Sequence, residues 1–225
     1  MQPAIANNLD RIRERIAAAC QRSNRPPESV TLIAVTKSVG LDEVRCLHAQ
    51  GLRHFGESRI QDAESKVAAR LDGAIWHMIG SVQRRKAKDV CRLFDRVDSV
   101  DRLELAVELA KRLPPGHEPL PLLLEVNVSG EATKHGFAPQ SLGEALHEIE
   151  ALPNLRIEGL MTMAPLYADA QRTRPVFAAL RALAVRYKLS RISMGMSNDF
   201  EVAIEEGSTE VRVGSALFEG LKLES

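Results

Sequence analysis

One lysine, Lys37, stands at the end of the first strongly apolar segment of the chain. The segment at 30–37 (V-T-L-I-A-V-T-K) has the composition of a buried strand. Charged side chains at the carboxyl ends of buried parallel strands are where α/β proteins place their chemistry. An amine there, with its pKa lowered by burial or by nearby cations, forms Schiff bases with carbonyl compounds. Most lysines at strand ends simply reach water, so this interpretation needs a second feature beside Lys37.

Two later segments end in small polar residues that suit a phosphate group. Ser197 closes the segment at 191–197 and precedes a predicted helix, whose free N–H groups attract an anion together with the hydroxyl. In the segment at 211–218, Gly214 and Ser215 supply a residue without a side chain and then a hydroxyl, so phosphate can approach the backbone closely. Taken singly, each residue is explained by helix capping or by relief of crowding. The pair at matching positions predicts a phosphate cradle facing Lys37.

The arginine two residues before Gly214 belongs to the same constellation. Strand alternation places Arg212 and Gly214 on one face, so Arg212 is expected to point into the protein. Burying a guanidinium is costly unless something accepts its hydrogen bonds. The alternative to a ligand-directed role is a structural salt bridge with Glu125 or Glu57, and the sequence leaves both open.

The elements that must position these residues alternate strictly along the chain. Strands are predicted at 30–37, 54–57, 75–80, 93–100, 120–128, 155–163, 192–197 and 210–218. Helices are predicted at 4–22, 41–50, 59–71, 82–91, 101–113, 139–151, 168–187 and 198–206, with a bend expected near Pro175. Such alternation predicts a parallel sheet covered by helices, and eight units favour a single (β/α)8 TIM-type barrel over residues 1–225.

The composition excludes several classes of function. Lys plus Arg and Asp plus Glu both number 30, and only 4% of residues are aromatic, so neither nucleic acid nor a membrane surface is an expected partner. No apolar run reaches the length of a membrane span, and the N-terminus does not resemble a secretory signal. Three widely spaced cysteines and the lack of an H-x-x-x-H motif predict a cytoplasmic protein without disulfides or a metal centre.

A lysine and a phosphate cradle in a barrel leave two main interpretations. One is a Schiff-base aldolase acting on a phosphosugar. The other is a protein that carries pyridoxal 5′-phosphate (PLP).

Seven blocks of the sequence resemble the successive motifs of one family. They are A-V-T-K-S at 34–38, H-F-G-E-S-R-I-Q-D at 54–62, W-H-M-I-G-S-V-Q-R-R-K at 76–86, V-N-V-S-G-E-A-T-K-H-G at 126–136, G-L-M-T-M-A at 159–164, I-S-M-G-M-S-N-D-F-E-V-A-I at 192–204 and G-S-T-E-V-R-V-G-S-A-L-F at 207–218. On these blocks the chain resembles the PLP homeostasis protein family, single-domain relatives of the N-terminal barrel of alanine racemase. The resemblance implies a fold-type III PLP protein without the C-terminal β-domain.

The resemblance also implies roles for individual residues. Lys37 would hold PLP as a Schiff base, Ser197, Gly214 and Ser215 would bind its phosphate, and Arg212 would face the pyridine nitrogen. Since a guanidinium cannot accept the proton of that nitrogen, the ring is expected to be a poor electron sink. This disfavours decarboxylation and transamination and leaves racemisation open in principle.

Several positions have no role that the resemblance settles. Ser58 stands where the family often has asparagine, so a polar contact of that position with the cofactor is not implied for this chain. Ser215 replaces a frequent threonine and keeps the hydroxyl. Lys134 resembles a family lysine near the pocket, with a solvated loop lysine as the alternative. The basic run at 84–88 is either a docking or regulatory PLP patch or a solvated helix face.

Racemisation by two bases needs a second acid or base opposite Lys37. In alanine racemases it is a tyrosine from the C-terminal β-domain of the partner subunit, and that domain is expected to be absent here, which favours a monomer. Tyr167, in the loop after the sixth strand, is the remaining candidate. We therefore expect a PLP carrier and buffer with little or no turnover, which serves PLP-requiring apoenzymes and affects amino-acid and keto-acid balance. An amino-acid racemase and a phosphosugar aldolase are the alternatives.

Overall fold

Eight parallel strands close into a barrel in the order of the chain, and the last strand pairs back to the first. The computed structural model describes residues 2–131 and 133–221, and Ala132 of the fourth motif block lies outside them. The predicted (β/α)8 barrel is confirmed. The strands are β1 Thr31–Val35, β2 His54–Glu57, β3 Ile75–Met78, β4 Arg96–Val100, β5 Leu120–Glu125, β6 Leu155–Met161, β7 Arg191–Ser193 and β8 Glu210–Val213.

Within the described residues, eight helices cover the outside of the barrel. Their apolar faces follow helical spacing, as in the first helix, where Ile5, Leu9, Ile12 and Ile16 are buried. None of the helices in the described residues is long and apolar enough to cross a lipid bilayer. The helices are α1 Gln2–Arg22, α2 Leu41–Ala49, α3 Ile60–Ala68, α4 Ala87–Leu93, α5 Leu103–Arg112, α6 Leu142–Glu150, α7 Arg174–Arg186 and α8 Phe200–Glu205, with short 3₁₀ turns at Pro27–Ser29, Arg84–Lys86 and Ala170–Thr173.

The last two strands are shorter than predicted, and this changes where the predicted site residues lie. The strands predicted at 192–197 and 210–218 end at Ser193 and Val213. Gly195 has φ of +94°, and a Cβ there would lie 2.5 Å from the Cβ of Ala203, so the chain turns inward under α8. Ser197 and Gly214 therefore lie in loops at the carboxyl ends of these strands.

The helix predicted at 168–187 is also divided. A 3₁₀ turn covers Ala170–Thr173, and Pro175 lies in the first turn of α7 rather than at a bend within a longer helix. Proline suits a first helical turn because its missing N–H is not needed there. The loop between β6 and α7 is thereby freed to line the carboxyl face of the barrel.

The interior of the barrel is charged at its amino-terminal end. Alternation along β4 turns Arg96 and Asp98 to the same side, and Nη1 of Arg96 donates to Oε2 of Glu158 at 2.7 Å. On the neighbouring strands, Nη1 of Arg191 donates to Oε1 of Glu210 at 2.7 Å. We call the following residues the polar layer: His54, His77, Arg96, Asp98, Glu158, Arg191 and Glu210.

Candidate functional site

A cavity of about 260 Å³ opens at the carboxyl ends of β1, β7 and β8. It is lined by all five residues that the sequence placed in the site, Lys37, Ser197, Arg212, Gly214 and Ser215. The opposite wall is formed by the loop after β6 and the turn that follows it, through Pro165, Leu166, Tyr167, Ala170 and Thr173. Residues from four separate parts of the sequence thus meet at one place.

A larger hollow of about 540 Å³ lies at the other end of the barrel, around Trp76 and Cys91. It is formed by loops that enter the strands, whereas barrel proteins place their chemistry at the carboxyl face. None of the five predicted residues contributes to it. The smaller cavity is therefore the candidate site.

Lys37 has an exposed side chain, and the residue before it, Thr36, is held by hydrogen bonds of its main-chain groups. β1 ends at Val35, and the N–H of the buried Thr36 donates to the carbonyl of Gly56 at 3.0 Å. The carbonyl of Thr36 accepts a hydrogen bond of 2.7 Å from Nζ of Lys66. Both main-chain polar groups of Thr36, the residue before Lys37, are thus held, which restricts the direction in which the Lys37 side chain leaves the strand.

The anchor of Thr36 is a buried ion pair. Nζ of Lys66 donates to Oε1 of Glu57 at 2.7 Å, and Oγ1 of Thr36 donates to the same oxygen at 2.6 Å. Burial raises the pKa of Glu57, and its hydrogen bonds with Lys66 and Thr36 oppose that rise. Lys66 was not identified from the sequence as a site residue. The available signal was its place on the buried face of α3, three residues after Ala63.

The two predicted phosphate-binding segments are joined by hydrogen bonds. Oγ of Ser197 accepts from the N–H of Gly214 at 3.3 Å and from the N–H of Ala216 at 3.4 Å. A Cβ on Gly214 would lie 3.2 Å from the Cβ of Val35, so the absence of a side chain keeps this part of the cavity open. The geometry is that of a cradle with hydroxyl and backbone donors.

The start of α8 differs from the prediction. The helix begins at Phe200 rather than at residue 198, and Asp199 occupies the cap position. Oδ1 of Asp199 accepts from the N–H of Met196 at 2.6 Å, which closes the turn that carries Ser197. Ser197 therefore does not cap α8, and its hydroxyl faces the loop after β8.

Arg212 forms the floor of the cavity and is only 4% exposed. Its Nη1 donates to Oγ of Ser193 at 2.6 Å, and its Nη2 donates to the carbonyl of Thr162 at 2.9 Å. The alternative salt bridge with Glu57 or Glu125 is wrong, because the described residues contain no ion pair of Arg212 with either carboxylate, and Oε1 of Glu57 is bonded to Lys66. Burial lowers the pKa of Arg212, opposed by the charges of Asp98 and Glu125.

Glu125 ends β5 and is 5% exposed. Burial and the nearby carboxylate of Asp101 raise its pKa to about 7, while Arg212 and His135 act in the opposite direction. This acid therefore changes its charge near neutral pH, beside the arginine at the floor of the cavity. From the sequence alone, Glu125 is considered only as a salt-bridge partner for Arg212.

The remaining residues singled out in the sequence fall into three places. Tyr167 lines the cavity, and the guanidinium carbon of Arg172 lies 4.4 Å from the centre of its ring. Lys134 is not among the lining residues, and its Nζ donates to the carbonyl of Met163 at 3.1 Å and pairs with Glu131 at 3.0 Å. Ser58 lines a separate hollow on the same face.

Comparison with known proteins identifies the family. The model of the alanine racemase N-terminal domain matches residues 7–221. The pyridoxal phosphate homeostasis protein of Pseudomonas aeruginosa is 43% identical over 217 residues, which cover 95% of this chain and 94% of that protein. The protein of the same name from Aquifex aeolicus is 39% identical and covers 93% and 95%. This chain belongs to the pyridoxal phosphate homeostasis protein family.

Solved structures agree with this membership in the pyridoxal phosphate homeostasis protein family. PipY of Synechococcus elongatus, in a structure with PLP bound, is 36% identical with a TM-score of 0.79 and covers 92% of this chain and 99% of that chain. An alanine racemase of Clostridium difficile is 13% identical with a TM-score of 0.75, and 99% of this chain matches 58% of that chain. The second likeness concerns the fold alone.

Proposed function

We propose that this protein binds PLP in the cavity at the carboxyl face, holds it as a Schiff base on Lys37, and acts in PLP homeostasis as a carrier and buffer. The observation that carries the proposal is the convergence of Lys37, Ser197, Arg212, Gly214 and Ser215 on one cavity. The names of the curated relatives and the PLP bound to PipY support the choice of ligand over a phosphosugar.

The residues of the cavity fit the chemistry of PLP. The hydroxyls of Ser197 and Ser215 line the cavity as donors for a phosphate, and the N–H of Gly214 makes only a long bond of 3.3 Å to Oγ of Ser197 beside them. The exposed amine of Lys37 is free to attack an aldehyde carbon and release water. PLP supplies that aldehyde and an electron-withdrawing ring when it is bound.

Arg212 favours retention of the cofactor over turnover. Its guanidinium is held by two neutral acceptors, so it stands beside the cavity as a fixed cation. An acidic residue in that place would keep a pyridine nitrogen protonated and the ring a strong electron sink, and an arginine does not. Carbanions formed at the site are therefore poorly stabilised, as a carrier requires.

Weak amino-acid racemisation is the second candidate function. It is favoured by one observation, that Tyr167 lines the same cavity as Lys37. Arg172 over the face of the Tyr167 ring gives that side chain a packing role in the loop as well. Measurement of D-alanine formed from L-alanine by the PLP-loaded protein separates the two functions.

The same proposal includes the domain organisation, the cellular compartment and the oligomeric state of the protein. We place the function in one domain over residues 1–225 of a cytoplasmic monomer that exchanges PLP with apoenzymes. Cys20, Cys46 and Cys91 are free thiols, which suits a reducing compartment.

The first prediction concerns the covalent attachment of PLP. Protein incubated with PLP, reduced with borohydride and digested is expected to carry a pyridoxyl group on the peptide that contains Lys37. Lys37→Ala should lower the visible absorbance of the PLP complex at least tenfold. Peptide mass mapping and absorbance spectra measure the two effects.

Lys134→Ala is the matched control because Lys134 lies near the cavity and does not line it. It should retain the adduct on Lys37 and the absorbance of the parent. The proposal is wrong if the parent remains colourless with PLP, or if the reduced adduct is found on other lysines while Lys37 stays free.

A further inference from the structure

A second hollow lies on the carboxyl face of the barrel, separate from the cavity of Lys37. It has a volume of about 330 Å³ and is formed by the loops that follow β2 and β3. The two hollows share no lining residue. The basic run at 84–88, which the proposed function does not use, contributes to this hollow.

The charges around the hollow have one sign. Its lining includes Arg59, Arg85 and Lys86 and no carboxylate. Nε of Arg85 donates to the neutral side chain of Gln83 at 2.9 Å, and Nζ of Lys86 lies 3.7 Å from the nearest carboxylate oxygen, on Asp89. Cations that converge on a cleft focus a positive potential there and raise the local concentration of anions.

Hydrogen-bond donors also outnumber acceptors in the loop after β3. The carbonyl of Gly80 accepts from Oγ of Ser99 at 2.6 Å, and the carbonyl of Val82 accepts from Nη2 of Arg102 at 2.6 Å. The N–H groups of Gly80 and Ser81 have no acceptor within the described residues. Two carbonyls of this loop are thus occupied, while two of its N–H groups remain available.

Close packing of the two loops brings further hydroxyls to the hollow. A Cβ on Gly80 would lie 2.4 Å from the carbonyl oxygen of Ser58, so only glycine permits this approach. Ser58 and Ser81 consequently line the same hollow. Ser58 is the position at which the chain departs from the asparagine of the family pattern, and here it adds a small donor beside the cations.

We propose that this hollow is a second anion site, which binds a small phosphate monoester independently of the cofactor cavity. The two guanidinium groups present paired donors that match phosphate oxygens, and the lysine adds a point charge. A small ligand agrees with the volume of the hollow and with the zero net charge of the whole chain.

The test is a calorimetric titration with inorganic phosphate of protein that has been saturated with PLP and reduced with borohydride. Arg85→Gln/Lys86→Gln removes two cations that line the hollow. Arg84→Gln/Lys88→Gln removes two from the same run that do not line it. Phosphate Kd is expected to rise at least tenfold in the first variant and less than twofold in the second.

If phosphate affinity falls equally in both variants, the effect comes from the general charge of the basic run and the proposal is wrong. The proposal is also wrong if the parent protein does not bind phosphate. The comparison does not depend on the cofactor, because neither pair of residues lines the first cavity.

Competition by pyridoxine 5′-phosphate and ribose 5-phosphate then separates two sources of the ligand. A preference for the former assigns a second B6 vitamer, equal competition assigns phosphate monoesters in general, and either result supports the site.

Discussion

At the scale of single residues, the candidate cavity is lined by residues that follow the carboxyl ends of strands. Lys37 and Gly214 both line it, and their proximity could be predicted because residue type and position after a strand are both readable along the chain. The partners of Arg212 were not predictable. They are a serine hydroxyl and a main-chain carbonyl, and a carbonyl leaves no trace in the sequence.

Glu125 gives a prediction about pH. Its pKa is raised to about 7 in the folded protein, so the native state binds more protons than the unfolded state from about pH 4.3 up to that value. The raised pKa of Glu125 therefore contributes fully to stability below about pH 4.3, and this contribution is lost as the pH rises through about 7. Glu125→Gln should therefore gain stability relative to the parent between pH 5 and pH 8, by up to about 3 kcal/mol.

Urea unfolding of both proteins at the two pH values measures the gain. Glu144→Gln, at an exposed position on α6, is the control and should follow the parent at both pH values. A difference between Glu125→Gln and the parent that is independent of pH would contradict the assignment.

At the scale of elements, the strands and helices were predicted with the right type and order, and their ends were not. Apolar composition continues past the last ladder bond, as in the segment predicted at 210–218, whose strand ends at Val213. Buried loop residues such as Leu217 and Phe218 are as apolar as strand residues, so composition cannot mark the boundary. The proposed site depends on this, because Ser197, Gly214 and Ser215 lie in loops that follow such strands.

The ion pair between α3 and the end of β2 gives a prediction for an element. Lys66→Met would leave the carboxylate of Glu57 buried without its partner, at a cost of about 3–5 kcal/mol. Lys66→Met/Glu57→Gln should recover most of that loss because the unpaired charge is removed. Chemical unfolding of the two variants and the parent provides the measurement.

The same series has a readout at the site. Both variants lose the bond from Lys66 to the carbonyl of Thr36, so both should show slower formation of the Lys37 adduct even where stability is recovered. An unchanged rate in the stable double variant would limit Lys66 to a structural role.

At the scale of the whole molecule, alternation predicted the barrel, and nothing in the sequence predicted its charged interior. Arg96, Asp98 and Glu210 look like ordinary polar positions of half-exposed strands until the sheet closes. Oδ1 of Asp98 and Oε2 of Glu210 have no hydrogen-bond partner among the described residues. Buried atoms of this kind are commonly bridged by internal water.

The polar layer predicts sensitivity to acid. Burial and the neighbouring His77 lower the pKa of His54 to about 4, so the unfolded state binds more protons between about pH 6.5 and pH 4. The contribution of His54 is present above pH 6.5 and is lost as the pH falls through this window, by on the order of 1–2 kcal/mol once solvent screening of this half-buried ring is taken into account. Thermal unfolding from pH 7 to pH 4 should show a shallower loss for His54→Asn than for the parent. His147→Asn, at an exposed position on α6, should match the parent, and equal slopes in all three proteins would refute the prediction.

Closure of the barrel joins the two ends of the described chain. Thr31 pairs with Glu210 between β1 and β8, and the side-chain amide of Asn8 donates to the carbonyl of Leu217 at 3.0 Å, across 209 positions of sequence. During synthesis, β1 therefore has one finished neighbour, β2, and must wait for its other neighbour until β8, at Glu210–Val213, has left the ribosome. Until then the nascent chain has an unclosed sheet edge, so aggregation or chaperone capture competes with folding in that interval.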